Sequence, residues 1–266
     1  MQSSILKTAI VGLCIVCIAL PSAFADTIFN TLDVQGRKQG FWKKRYPNGK
    51  VAYTAFFVNN YVRGDLVRFH DNGKKMAVIH YFDGEQPAFA KLFSTTGALV
   101  AEGRYIKDGV KFGIWKYFKD GKASLQENYD SVGKMDGEQV SFYPTGKVFE
   151  RKRFSHGLQT GLYEQIDLNG QPVVEMMYKD GKRNGKVRYY YSNNQIRIDG
   201  QYADNVRTGE WTFYDNRGKV ERCAVYVDGV ASDQDKIDAY QTEYLERMEK
   251  DKGRYKEPED RFKDDY

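Results

Sequence analysis

The sequence predicts an all-β fold, an elongated and twisted antiparallel β-meander of about eight 24-residue hairpin repeats, with a short C-terminal helix. Three observations lead there. Gly137, Gly161, Gly185 and Gly209 stand 24 residues apart, and a fixed period of this length marks a repeat architecture. An aromatic follows the first three glycines by 17 residues, at Phe154, Tyr178 and Tyr202, and Gly157, Gly181 or Asn205 comes three residues later. The composition agrees, with 20 Tyr, 16 Phe and 25 Gly against 6 Pro; aromatics punctuated by Gly and Asn favour strands and turns over helices.

Residues 1–25 read as a cleaved signal peptide. Lys7 supplies a thin positive start, Ala9 to Leu20 an apolar run, and Ala23-Phe24-Ala25 an A-x-A cleavage pattern. The run is too short to span a bilayer comfortably, so no transmembrane segment is expected in the mature chain. Cys14 and Cys17 leave with the signal, and a lone Cys223 cannot close a bridge within the chain. It reads as a partly buried strand residue, with an intermolecular disulfide as the sharper alternative.

After a lead-in over 26–39, the 24-residue frame gives eight copies across 40–231. They begin at Gly40, Gly64, Ala88, Gly113, Gly137, Gly161, Gly185 and Gly209, and only the third interval is longer, by one residue. Two residues after the start stand Trp42, Trp115, Tyr163 and Trp211, with aliphatics in some other copies. The late aromatic is present every time, at Phe57, Tyr81, Tyr105, Tyr129, Phe154, Tyr178, Tyr202 and Tyr226. Asn48-Gly49, Asn72-Gly73, Asp120-Gly121 and Asn169-Gly170 lie between aromatic runs and read as hairpin tips that need positive φ. A second set of turns, such as Lys179 to Gly185, joins one hairpin to the next. Asn194 and Asn205 replace glycine at two turns, and Asn best tolerates the left-handed region. A lone hairpin is marginal in water; stacking the copies lines up equivalent aromatics across strands.

These residues resemble a known family. The pattern G-x-W-x-x-[YF]-x-x-x-G-[KQA], an aromatic eight residues on, then G-K-x-x-G, is similar to the variant MORN repeat of bacterial YwqK-like proteins. Gly113 to Lys122 and Tyr178 to Gly185 carry it well, and the resemblance covers about residues 37–231. It implies hairpin meanders serving in protein or membrane-surface contact. It also implies an antitoxin label, which an export signal opposes. Copies two and three depart from the pattern, since neither has the early Trp and Ala88 replaces the leading glycine. Choline- and glucan-binding wall modules also repeat Gly, Trp and Tyr over hairpins, but here the period is longer and only three copies carry Trp.

Beyond Gly229 the repeat stops. Ser232 and Asp235 form a capping signal, and Ile237, Tyr240, Tyr244, Leu245 and Met248 fall at helical spacing, so 232–252 is expected to cap the last hairpin. Residues 253–266 read as a charged, flexible tail. Residues 232–266 carry a net charge of −4, and removing them and Lys7 from the formal +5 leaves +8 on the body. That excess suits acidic proteins, anionic lipid headgroups or wall polymers, or it serves to solubilise exposed strands.

Catalytic constellations are missing. His70, His80 and His156 fall in different copies, no zinc spacing or nucleophile elbow occurs, and no metal or cofactor is implied. Glu102, Glu127, Glu150 and Glu175 recur along the repeat as a structural charge ladder with neighbouring Lys or Arg. The expected function is an exported, non-enzymatic scaffold, periplasmic, cell-surface or secreted, binding another protein or an anionic envelope surface. Its structural and possible binding face comprises Trp42, Trp115, Tyr163, Trp211, Tyr81, Tyr105, Tyr129, Tyr178, Tyr202 and Tyr226. A wall carbohydrate or choline module is the alternative, a possible glycan being its ligand; nucleic acid fits poorly with export.

Overall fold

The computed structural model describes residues 29–83 and 87–235, with Asp238, Ala239, Thr242 and Glu246 beyond them. The signal segment 1–25, the tail 253–266 and most of the helix expected over 232–252 lie outside the described residues, and no continuous helix is defined among those that remain. Gln234, Asp235, Asp238, Ala239, Thr242 and Glu246 have helical backbone without forming a continuous described element, and the continuous helical element among the described residues is a 3-10 turn, Lys107–Gly109.

The rest is one antiparallel sheet of nineteen strands. Sixteen are six residues or longer, matching two per copy, and three are two-residue pieces at Thr31–Leu32, Leu158–Gln159 and Val230–Ala231. The ladders pair each long strand with the next in sequence, from Lys38–Arg45 to Val220–Val227, so strands lie in chain order.

Two turn chemistries recur. At the first tip Gly49 N–H donates to the Tyr46 carbonyl at 2.9 Å and Tyr46 N–H to the Lys50 carbonyl at 2.8 Å, and the same pair recurs at Tyr191, where Asn194 takes the left-handed position at φ 64°. This is a type I turn closed by a left-handed residue. Most connections between hairpins are two-residue mirror-image turns such as Asp180-Gly181 and Asp204-Asn205, with positive φ at both residues; in the fourth copy the order is reversed, its Asp120-Gly121 tip being the two-residue turn and the connection from Asp130 to Lys134 the longer one. Both Asn substitutions in the glycine pattern therefore sit in the predicted conformation.

The leading glycine has a further role. Between the Thr54–Val67 and Phe56–Arg63 pairs one residue faces three, at a bulge holding Gly64 with φ 67°, and the irregularity returns at Gly113, Gly185 and Gly209. Positive φ there lets the strand shift register and twist. Ala88 lacks it, and the ladder from Ala77–Leu92 to His80–Phe89 runs unbroken.

One lateral row crosses the whole sheet on its core face. It runs Trp42, Ala55, Leu66, Ile79, Ala90, Gly103 and Trp115, then Glu127, Gln139 and Lys152, then Tyr163, Met176, Val187, Gly200, Trp211 and Ala224. The apolar ends form two cores, one around Ala90, Ala101 and Trp115, the other from Val174 to Ala231 around Val187 and Trp211. Glu127, Gln139 and Lys152 make a polar seam between them.

Both sheet edges are closed by side chains that imitate a strand. The Asn30 amide accepts from Lys43 N–H at 2.9 Å and donates to the Lys43 carbonyl at 3.2 Å. At the other edge Ser232 Oγ accepts from Val225 N–H at 3.2 Å and Ser232 N–H donates to the Val225 carbonyl at 2.9 Å. Pairing these edge groups protects the sheet from end-to-end addition.

Candidate binding surface

The two fully buried indoles share one packing device. Trp115 lies flat over Gly103, where a Cβ would come within 2.4 Å of the ring, and Trp211 lies over Gly200, where it would come within 2.3 Å. Each indole N–H donates to a backbone carbonyl, Trp115 to Arg104 at 2.9 Å and Trp211 to Gln201 at 3.2 Å. Tyr105 and Tyr202 add edge-to-face contacts at 4.8 and 5.2 Å. Elsewhere along the row, partners match by size or polarity: Ile79 meets Ala90, and Gln139 donates to Glu127 at 3.2 Å.

Cations cover the other ring faces. Lys38 stands over Trp42 and Phe57 at 4.7 and 4.9 Å; Lys111 over Trp115, Tyr117 and Tyr129 at 5.1 Å each. Arg183 covers Tyr202 at 4.4 Å, and Arg207 covers Trp211 at 4.6 Å and Tyr226 at 5.3 Å. All four cations occupy the position two residues before a leading glycine. Ring quadrupole and cation attract when one is held over the other, so these four cations are engaged with the chain's own aromatics.

In the polar seam, the Tyr129 hydroxyl donates to Glu127 at 2.6 Å, the Tyr163 hydroxyl to Glu150 at 3.0 Å, and Lys152 meets Glu150 at 2.7 Å. Burial and then the Glu127 carboxylate push Tyr129 up to about 12. Burial and the nearby carboxylates also raise Tyr117 and Tyr163. Beyond the seam the Tyr190 hydroxyl donates to Glu175 at 2.6 Å, and Tyr190 is likewise raised to about 12, first by burial and then by that carboxylate. Three of the four recurring carboxylates thus accept from tyrosine, and one of them, Glu150, also pairs with a cation. Glu102 faces Lys91 and Lys116 across the ladders.

Over the second and third copies the core face opens into a groove of about 900 Å³. Ala77, Ile79, Ala88 and Leu92 contribute to its apolar lining, with Tyr81, Tyr105 and the 3-10 turn at one end and Arg68 at the other. This is where the bulge is absent and the side chains are small.

The predicted face divides accordingly. Trp115, Trp211, Tyr202 and Tyr226 are buried, whereas Trp42, Tyr81, Tyr105, Tyr129, Tyr163 and Tyr178 are half-buried. The groove brings together Tyr81 and Tyr105 alone of the ten. Gly103, Gly200 and the stacked cations escaped the sequence reading, though a glycine two residues before the late aromatic and a cation two before the leading glycine carried the signal.

The histidines serve the scaffold. His70 Nε2 bonds to the Phe93 carbonyl at 3.0 Å and so carries the proton, repeating the tip-to-tip bond that Tyr46 makes to Phe69 at 2.6 Å. His80 Nδ1 lies 2.7 Å from Asp65, and His156 occupies a turn at φ 50°. Cys223 is exposed rather than partly buried, because its strand turns it to the face opposite Ala224. Among the described residues no group of three or more His, Cys, Asp or Glu could hold a metal ion.

No curated protein matches the chain. Solved structures with local similarity include an S. aureus TarM mutant in complex with fondaparinux, α-GlcNAc-glycerol and UDP, at 11% identity over 52% of this chain and 21% of that one, with a TM-score of 0.19. A GtfA/B complex bound to UDP and GlcNAc aligns at 15% identity over 52% and 26%, with a TM-score of 0.21. A TcdB2-TccC3-Cdc42 structure aligns at 10% identity over 75% and 13%, with a TM-score of 0.21. The chain therefore spans about a quarter or less of each of these. The family comparison is more specific. Residues 38–59, 135–156, 183–204 and 207–228 match the MORN repeat variant, each segment opening two residues before a leading glycine and ending on the first residue of the next turn.

Proposed function

We propose that the chain is an exported scaffold whose aromatic and basic sheet surface binds another protein or an anionic envelope surface. The observation that carries this reading is the apolar surface left on a sheet whose cores are already formed. On the face opposite the row, Phe41 is 53% exposed and stacks edge-on with Phe56 at 5.0 Å, while Leu162, Met177, Val225 and Ile114 are also exposed. Apolar residues so placed beside Lys and Arg, on a body of net charge +8, suit macromolecular contact. Among the described residues no helix is long and apolar enough to cross a membrane.

A choline or glycan cage needs free ring faces, and the chain's own cations cover those of Trp42, Trp115, Tyr202, Trp211 and Tyr226. That supports the protein-or-surface reading over the wall-module alternative. Crosslinking and pull-down from the native envelope, alongside flotation with phosphatidylglycerol vesicles, test it. Retention of a discrete protein, or vesicle binding that weakens with salt, is expected. Binding to cell wall that survives high salt and is displaced by choline or free glycan would overturn it.

A further inference from the structure

The chain contains its own template for what the groove accepts. In copies one, four, seven and eight a cation two residues before the leading glycine lies over that copy's late aromatic, at 4.9 Å for Lys38 on Phe57, 5.1 Å for Lys111 on Tyr129, 4.4 Å for Arg183 on Tyr202 and 5.3 Å for Arg207 on Tyr226. Copy two has Val62 at this position. Among the described residues no Lys or Arg lies over Tyr81 or Tyr105, and these are the two tyrosines that line the open groove. Val62 occupies the same register as the stacked cations: it pairs with Phe57 as Arg183 pairs with Tyr178 and Arg207 with Tyr202.

We infer that the groove over copies two and three binds a basic side chain, Arg or Lys, presented by a partner protein. The aliphatic stem lies along Ala77, Ala88 and Leu92, and the charge rests against the faces of Tyr81 and Tyr105. This rests on the scaffold reading and names the chemistry that one part of the scaffold recognises.

Charge at the site is mixed. Asp108 joins the lining from the 3-10 turn and favours a cation, whereas Lys107 beside it and Arg68 oppose one. Arg68 pairs with Ala77, four ladder positions from the Gly64–Tyr81 pair, or roughly 13 Å along the strand. It stands at the far end of the groove. The chain's own stacks also tolerate neighbouring cations, since Arg207 pairs across the ladder with Tyr202, the ring that Arg183 covers. An apolar floor of this volume accommodates a long stem that leaves its charged head near water, as Lys and Arg side chains do elsewhere.

The test supplies the missing cation from within. Val62→Arg places a guanidinium where the template puts one, and wild type and variant are titrated with acetyl-Ala-Ala-Arg-Ala-Ala-amide while 3-fluorotyrosine resonances are followed. Counterparts with norleucine or Glu in place of Arg, and phosphocholine, serve as comparisons. The expected result is that the Arg peptide moves the Tyr81 and Tyr105 signals, that norleucine and Glu peptides do not, and that Val62→Arg weakens the Arg peptide roughly tenfold. Equal response to Arg and norleucine peptides would show an apolar pocket and overturn the inference. A response to phosphocholine alone would assign the groove to quaternary ammonium ligands and overturn it too. Tyr81→Leu, which retains the apolar floor, covers the case in which Val62→Arg misfolds, and unchanged Arg-peptide binding in it counts against the inference. An envelope partner held equally by wild type and Val62→Arg sinks the groove assignment while leaving the scaffold intact; a chain that retains no partner or vesicle in any form sinks the scaffold reading itself.

Discussion

In the last two copies Arg183 and Arg207 lie over Tyr202 and Trp211, Gly200 receives the indole, and the core is closed. In the second copy Val62 stands in the cation position, in the third Ala88 removes the bulge, and alanines from both line an open groove. Both regions use one 24-residue unit in one hydrogen-bonding scheme. The difference teaches that the backbone repeat specifies the sheet, while a few side-chain positions decide whether a copy covers itself or leaves a face free.

Four measurements would break or sharpen that contrast. The largest effect is expected from Trp211→Ala, which removes a fully buried indole and should cost about 3–5 kcal/mol by urea unfolding. Tyr81→Ala in the open groove should cost clearly less, and equal losses would mean that the two regions are closed alike. Next, Gly200→Ala forces a methyl group into the Trp211 ring and should cost about 1–3 kcal/mol. Gly103→Ala should behave the same, and a neutral outcome at both would remove the glycine–indole device.

A smaller loss, about 0.5–1 kcal/mol, is expected for the exposed Arg207→Met, which keeps the stem and deletes the charge over Trp211 and Tyr226. Unchanged stability there would reduce the stacked cations to bystanders.

The fourth effect separates the seam from the cores by pH. Tyr129 in the seam is raised to about 12 against an ordinary value of 10.0, and so is Tyr190, which lies well beyond the seam on the Lys182–Tyr190 strand. Between those values the folded chain keeps protons that the unfolded chain has lost, so stability is fully present below pH 10 and falls as pH rises through about 12. Urea midpoints across that window should decline, and Tyr129→Phe should decline less steeply; parallel slopes would exclude Tyr129 as a contributor.

The period, hairpin tips, positive-φ asparagines and chain-ordered meander were legible because backbone geometry imposes them on every copy. A left-handed turn residue has few solutions, and Gly49 and Asn194 announce theirs locally. The split of the aromatic ladder into buried and half-buried members was not legible, because Trp42 and Trp211 occupy the same repeat position. Their burial depends on the neighbouring strand, where Trp211 has Gly200 beneath it and Trp42 is followed outward only by the short Thr31–Leu32 piece. The groove was hidden for a related reason. It arises from substitutions that each look mild, Ala88 for glycine and Val62 for a cation, and their consequence appears only where adjacent strands meet.

Chain order has a mechanical consequence. The long strands are bonded to their immediate predecessors and successors in sequence, and tip-to-tip bonds such as Tyr191 to Tyr214 reach one copy ahead. Tension applied at the two ends of the sheet would load one ladder at a time and peel copies away singly, with Asn30 and Ser232 as the first clasps to open. Each detached copy would lengthen the molecule by a similar step, and on release it could rejoin the register still held by its neighbour. A protein built this way yields gradually under load and keeps the remaining copies assembled as it extends.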